Sequence, residues 1–189
     1  SSRITGANHL LVPGNGQSDL ANNRLCVLKS TPTEHPALLL DFGKELQGGL
    51  QLVTGMPPSH DPVSVRVRFG ESVSEAMCEI DGANGASNDH AMRDFVVSLP
   101  WLGVQEIGNS GFRFVRIDVL GDSTELQLKE VRAISTFRDI PYLGSFRCND
   151  ERLNRIWKTG AYTVHLNMQE YLWDGVKRDR LVWVGDLHP

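Results

Sequence analysis

The sequence predicts a mainly β fold, an antiparallel sandwich of jelly-roll type, followed by one long α-helix. Three observations carry this. Up to about residue 145, short β-branched or aromatic segments are separated by Gly, Pro, Asn and Asp. Along several of them apolar residues recur at every second position, the period of a strand with one buried face. After residue 145 the apolar spacing lengthens to that of a helix. Strands followed by a helix is the order of two domains, 1–144 and 145–189, rather than of one mixed fold.

The elements follow in chain order. "ALLLDFG" (37–43) is a continuous apolar run, as expected of a strand covered on both faces. "GGLQLVTG" (48–55) alternates at Leu50 and Leu52. "VSVRVRFG" (63–70) is the clearest strand, with Val63, Val65, Val67 and Phe69 inward and Ser64, Arg66 and Arg68 outward. "DFVVSLP" (94–100) is stopped by Pro100. "GFRFVRIDVL" (111–120) is apolar on both faces, the mark of a central strand or one that changes partners. In "LQLKEVRAIS" (126–135) the alternation slips between Leu128 and Val131, which predicts a β-bulge near Lys129–Glu130. "NDERLNRIWKTGAYTVHLNMQEY" (149–171) sets Leu153, Ile156, Trp157, Gly160, Ala161, Val164, Met168 and Tyr171 at helical spacing, with Asn149 as N-cap.

Composition narrows the function classes. The chain has 189 residues, 40% of them hydrophobic, enough for one core with or without an appendage. A formal net charge of −4 speaks against a nucleic-acid backbone binder. No apolar run approaches the roughly 20 residues that span a bilayer, so no membrane partner is expected. The first residues do not read as a signal peptide, and the compartment stays open. Cys26, Cys78 and Cys148 lack C-x-x-C spacing and read as three separate thiols. The histidines lack zinc-site spacing, and no metal or cofactor is expected. The loop 81–90 offers Asp81, Asn84, Asn88 and Asp89 as oxygen ligands without EF-hand spacing, so a mobile loop is the reading preferred over a calcium site. Gly14 and Gly16 in "PGNGQSD" lack the third glycine and the preceding strand of a dinucleotide fingerprint. Trp101 reads as a core or interdomain residue before a sugar-stacking one.

The unusual stretch is the last one, "WDGVKRDRLVWVGDLHP" (173–189). Asp174, Asp179 and Asp186 are threaded among Lys177, Arg178 and Arg180, with Trp173 and Trp183 nearby. A plain alternative is a solvated charged face with surface ion pairs and two anchoring tryptophans. Glycoside hydrolysis asks for the same residue types. One carboxyl protonates the leaving oxygen, a second carboxylate activates water or attacks the sugar, and others accept hydrogen bonds from hydroxyls. Tryptophan supplies a flat apolar wall, and an arginine holds a neighbouring carboxyl ionised. The same set would also suit a sugar-binding cleft without catalysis.

"FRCNDERLNRIW" followed by "DGVKRDRLVWVGD" resembles the bacterial α-L-rhamnosidases of glycoside hydrolase family 78. The resemblance rests on Asp174, Gly175, Lys177, Arg178, Asp179, Arg180, Trp183, Gly185 and Asp186, and covers roughly residues 145–188. "LLLDFGKELQGGL" and "RVRFGES" are weaker echoes in the strand half. The resemblance implies β-sandwich domains ahead of an (α/α)6 barrel that the long helix begins. It implies Asp179 at the general-acid position, where the family often has Glu. Asp174 would accept hydrogen bonds from rhamnose hydroxyls, and Asp186 would bind sugar or tune the acid. Arg178 would hold the ring or a carboxylate, and Trp183 would wall the pocket. It further implies inversion, with a glutamate base from later in the barrel, and a rhamnose-containing glycoside as substrate.

The helix stripe must be buried against something, and no further helices follow in these residues. The expectation is therefore a fragment, itself inactive, of a larger rhamnosidase whose remaining catalytic domain covers the stripe. Two rivals stand beside it. One is a non-catalytic carbohydrate-binding sandwich with an incidental terminal cluster. The other is an assembly piece that self-associates through the exposed C-terminal helix or leaves its C-terminal segment disordered.

Overall fold

A computed structural model describes residues 3–18, 20, 24–80, 93–177 and 179–187. Seven antiparallel strands form one continuous sheet: β1 (Ile4–Thr5), β2 (Cys26–Lys29), β3 (Ala37–Thr54), β4 (Val63–Gly70), β5 (Asp94–Leu99), β6 (Val104–Val119) and β7 (Glu125–Ser135). Their order is β1-β2-β7-β3-β6-β4-β5. A short helix α1 (Val73–Met77) follows β4, and α2 (Glu151–Asn167) follows the strands. The mainly β, antiparallel expectation holds.

The middle of the sheet is the long pair β3–β6. The two strands expected at 37–43 and 48–55 are one element of 18 residues. Its pairing with β6 slips between Asp41 and Leu46, and again between Gly48 and Leu50. The first slip explains why two strands were legible there. Asp41 Oδ1 accepts the Gly43 N–H at 2.7 Å, and Gly43 has φ +82°, so the chain makes a local turn inside the strand. The second slip needs Gly48, at φ +143°, where an added Cβ would lie 1.9 Å from the Ile134 carbonyl oxygen. The bulge expected in β7 is present: Val53 faces Glu130 and Thr54 faces Leu128, so Lys129 is the extra residue.

The sheet folds over a single core. Cys26, Leu28, Leu126 and Leu128 from β2 and β7 meet Val65, Val67, Phe69, Ile117 and Val119 from β4 and β6 in one apolar cluster. At its centre the Phe112 ring stands edge-to-face against Phe69 (4.9 Å) and Phe42 (5.7 Å), and Phe95 packs edge-on to Phe69 at 5.9 Å. Arg68 departs from the outward reading. It is 3% exposed and paired with Asp118 (3.1 Å) and Glu79 (3.0 Å), because β6 and the segment after α1 cover that face of β4. The three cysteines are free thiols.

The long helix is shorter than its apolar spacing suggests, 151–167 rather than 149–171. Its N-cap is Asp150, one residue after Asn149, and the Asp150 carboxylate accepts from Arg152 and Leu153 N–H. At its other end the chain turns back through a Met168–Leu172 bridge. Gln169 stabilises this turn, its side chain donating to the carbonyls of Leu166 (2.8 Å) and Thr136 (3.2 Å). Two contacts tie α2 to the strand region. Tyr162 Oη donates to the Glu45 carbonyl at 2.6 Å. Buried His165 reaches the Arg138 carbonyl (2.6 Å) and Tyr142 Oη (3.0 Å), with Phe137 stacked 3.7 Å away. Among the described residues no helix is long and apolar enough to cross a membrane.

Phe112 is fully buried and packs against two aromatic rings, Phe42 and Phe69, so Phe112→Ala leaves a cavity as well as losing transfer energy. It is expected to lower stability by about 3–5 kcal/mol, read from urea unfolding.

Candidate functional site

The terminal acids sit on a closed loop. Asp174 N–H donates to the Leu181 carbonyl at 2.9 Å, and Leu181 N–H donates back to Asp174 Oδ1 at 3.0 Å. These two bonds gather residues 174–181 into one turn, with Asp174 exposed and Asp179 half-buried. Asp179 and Arg180 have φ of +52° and +54°. Two successive non-glycine residues in the left-handed region cost about 1–2 kcal/mol each, so other contacts must hold them there.

Those contacts come from the strand region. Arg180 Nε donates to the Val176 carbonyl (3.1 Å), and its Nη2 donates to the Asn109 carbonyl at the middle of β6 (2.5 Å). Its guanidinium also lies 5.1 Å from the Trp173 ring centre. Burial pulls its pKa below the usual arginine range, and only Glu170 opposes that. Val176 is buried against Gly111, where an added Cβ would stand 2.3 Å from Val176 Cγ2. The buried Gln47 amide is satisfied when its nitrogen faces the carbonyls of Val176 (3.0 Å) and Ser110 (3.3 Å).

Lys177 makes the ionic anchor. Its Nζ donates to Glu71 Oε2 and Glu75 Oε1, both at 2.7 Å. Burial opposes the charge on Lys177, but the two carboxylates outweigh it and raise its pKa. Glu75 is itself fixed. Ser72 caps α1 by accepting the Glu75 N–H, and Glu75 Oε2 accepts the Glu71 N–H at 2.8 Å. Arg93 lies 3.6 Å from Glu75 Oε1.

Glu45, in the slipped part of β3, completes this cluster. Its Oε1 is enclosed and, among the described residues, has no hydrogen-bond partner. Desolvation first, then the neighbouring Glu71 and Glu75 charges, push its pKa up to about 8, with Lys177 opposing.

The sites expected from sequence fare differently. Asp174 and Asp179 lie on the same loop. Trp183 follows it and is half exposed, just before a short 3-10 turn (Val184–Leu187) that contains the Asp186 backbone. Arg178 and the Asp186 side chain lie outside the described residues, as does the whole 81–90 loop. Trp101 is partly buried, its indole N–H bonded to the Pro57 carbonyl (3.2 Å) and its ring on His60. The Gly14–Gly16 turn packs on β7, Gly16 N–H donating to the Glu130 carboxylate at 3.0 Å. Among the described residues no group of three or more His, Cys, Asp or Glu is arranged for a metal ion. The reading from sequence missed Glu71, Glu75, Asn109 and Gln47. The Ser72-x-x-Glu75 capping pattern was a local signal for the first two.

The apolar stripe of α2 is partly covered. Trp157, Ala161 and Met168 line a cleft of about 310 Å³ with Ile140, Pro141 and Tyr142. Leu153, Ile156 and Val164 remain exposed on the helix.

A charge linkage follows from Glu45. Its folded pKa of about 8 lies above the ordinary glutamate value of 4.5, so the folded state holds the proton more tightly. Its contribution to stability is full below about pH 4.5 and is lost as pH rises towards 8. The melting temperature of this chain is therefore expected to fall between pH 5 and pH 8, and Glu45→Gln is expected to flatten that slope.

Comparison with known proteins sets the terminal segment beside the rhamnosidases. Residues 141–189 match the model of the bacterial alpha-L-rhamnosidase 6 hairpin glycosidase domain. An alpha-L-rhamnosidase of Formosa agariphila is 31% identical over 78 residues, which are 41% of this chain and 8% of that protein. A rhamnosidase from Klebsiella oxytoca with rhamnose bound shares the fold at a TM-score of 0.71 and 23% identity, over 84% of this chain and 32% of that one. The family 78 rhamnosidase of Bacillus sp. GL1 gives 0.70 at 21% identity, over 94% of this chain and 17% of that one. The chain thus spans less than a third of the length of each of these relatives. Residues 141–189 thus carry the signature of the bacterial alpha-L-rhamnosidase 6 hairpin glycosidase domain, and the chain shares its fold with the two solved rhamnosidases.

Proposed function

We propose that these residues belong to a longer α-L-rhamnosidase that releases terminal α-L-rhamnose from rhamnosides with inversion. The observation that carries the reading is the loop 174–181, which holds Asp174 and Asp179 together within the segment that matches the glycosidase domain.

In this reading Asp179 is the general acid and donates its proton to the leaving glycosidic oxygen. Asp174 accepts hydrogen bonds from rhamnose hydroxyls, and its Oδ1 is already oriented by the Leu181 N–H. Trp183 presents its exposed ring to the sugar face, where C–H groups stack on the indole. Arg178 and Asp186 complete the sugar contacts. A carboxylate from outside these residues activates water on the opposite face, at the wider carboxyl separation that inversion needs. The strand region, 1–144, then precedes a helical domain that begins at 145–189, with α2 as its first helix. The exposed Leu153, Ile156 and Val164 are what further helices would cover. In this reading these residues are inactive by themselves, because the water-activating carboxylate and the other pocket walls are supplied from outside them.

The longer protein is expected to release rhamnose from an aryl α-L-rhamnoside, and Asp179→Asn to lower kcat by about 10²–10⁴-fold. A full-length protein that releases no rhamnose would overturn the assignment.

A further inference from the structure

We propose that the β-sheet positions the candidate sugar-site acids, with Lys177 and Arg180 as the positioning residues that clamp their loop to α1 and β6. The inference rests on the functional reading above and deepens it. It gives the strand region a part in the site that is neither an appendage nor a separate sugar-binding module.

The acids and the anchors are interleaved. Asp174 opens the loop, Val176 and Lys177 follow, and then come Asp179 and Arg180. Each anchor reaches a partner distant in the chain. Lys177 bonds Glu71 and Glu75, 106 and 102 residues earlier, and Arg180 bonds the Asn109 carbonyl, 71 residues earlier. Val176 fills space that Gly111 leaves by lacking a Cβ, and Gln47 faces its carbonyl. The partners are rigid. Asn109 and Gly111 lie within paired strand β6, and Glu75 is held by the Ser72 cap, by the Glu71 N–H and beside Arg93. A loop that puts two successive residues in the left-handed region keeps that shape only while such contacts persist.

The geometry also sets what each side chain must supply. Lys177 must carry positive charge between two carboxylates, which an arginine fork can also do. Arg180 must donate to two carbonyls from one planar group while lying against Trp173, which lysine cannot reproduce.

Two measurements test the clamp. The first uses the longer protein with an aryl α-L-rhamnoside. Glu71→Gln with Glu75→Gln leaves the loop sequence untouched, yet is expected to lower kcat about 10- to 100-fold, since a misplacement of about 1 Å can cost that much. Lys177→Gln and Arg180→Lys are expected to do the same, while Lys177→Arg stays within about threefold of the wild type. A merely structural role would instead lower melting temperature and yield, with kcat per folded molecule unchanged, and that outcome overturns the proposal. The second measurement uses the present chain and needs no activity. Chymotryptic cleavage after Trp173, Leu181 or Trp183 is expected to speed up about tenfold or more in the Glu71→Gln/Glu75→Gln and Lys177→Gln variants. Unchanged cleavage overturns the clamp even if the enzyme is active. If the wild type hydrolyses no rhamnoside, the functional reading falls, and the cleavage result alone decides whether the loop is held by the sheet.

Discussion

The pairing of β3 with β6 is the constraint on which the molecule depends. These are the two longest strands, and they lie next to each other in the middle of the sheet. Uniform pairing would give an open ribbon with one apolar face left in water. The slips at Asp41–Leu46 and Gly48–Leu50 bend the pair instead. The bend folds the sheet edges towards each other and closes one core around Phe69 and Phe112. The same slips expose what the terminal loop uses. Gln47 faces Gly111 across the pair, Gly48 faces Ser110, and the Asn109 carbonyl is left to accept from Arg180.

Charge placement follows from that bend. Glu45 lies in the slipped stretch, and its carboxyl is taken from water without a compensating hydrogen bond at Oε1. Next to it are two more glutamates, both bonded by Lys177, with Arg93 3.6 Å from one of them, Glu75. Lys177 and Arg93 balance Glu71 and Glu75 and leave the third carboxyl to be neutral, the direction in which burial and its neighbours drive Glu45. Solvent reaches part of the group, so the electrostatic gain is well below what a fully enclosed pair would give. Its value lies in register. It selects one seating of the loop over slid alternatives that would part Lys177 from Glu71 and Glu75.

The helix shows a different balance. Tyr162, His165 and, just past the helix end, Gln169 fasten one side of α2 to the strand region through hydrogen bonds and a ring stack. The opposite side keeps Ile156, Leu153 and Val164 in water. Helix propensity alone seldom stabilises 17 residues, and most helical stability comes from packing an apolar face. Here polar fastening on one side replaces part of that packing. The rhamnosidase relatives extend well beyond the region they share with this chain.

Sequence alone determined the mainly β class, the strands β4, β5 and β7, the β7 bulge and the chemistry-bearing stretch. These are local properties: alternation of period 2, a slip in that alternation at Lys129, a change to helical spacing, and a run of acids, bases and tryptophans. It also carried the family resemblance, because Asp174 to Asp186 stand at fixed spacings within 13 residues. Other points lay beyond it: β1 and β2 are too short to show a period, and β6 begins at Val104, ahead of the strand expected at 111–120. The strands at 37–43 and 48–55 form one element, since a turn made by Asp41 and Gly43 inside a paired strand looks like a loop when its partner is unseen. Arg68 reads as outward-facing by alternation, yet Asp118 and Glu79 enclose it. The seating of Lys177 and Arg180 could not be read at all. Their partners lie 71 to 106 residues away, and only closure of the sheet brings them within hydrogen-bond distance. Periodicity reports the face a residue needs to hide; which neighbour does the hiding is settled only when distant strands meet.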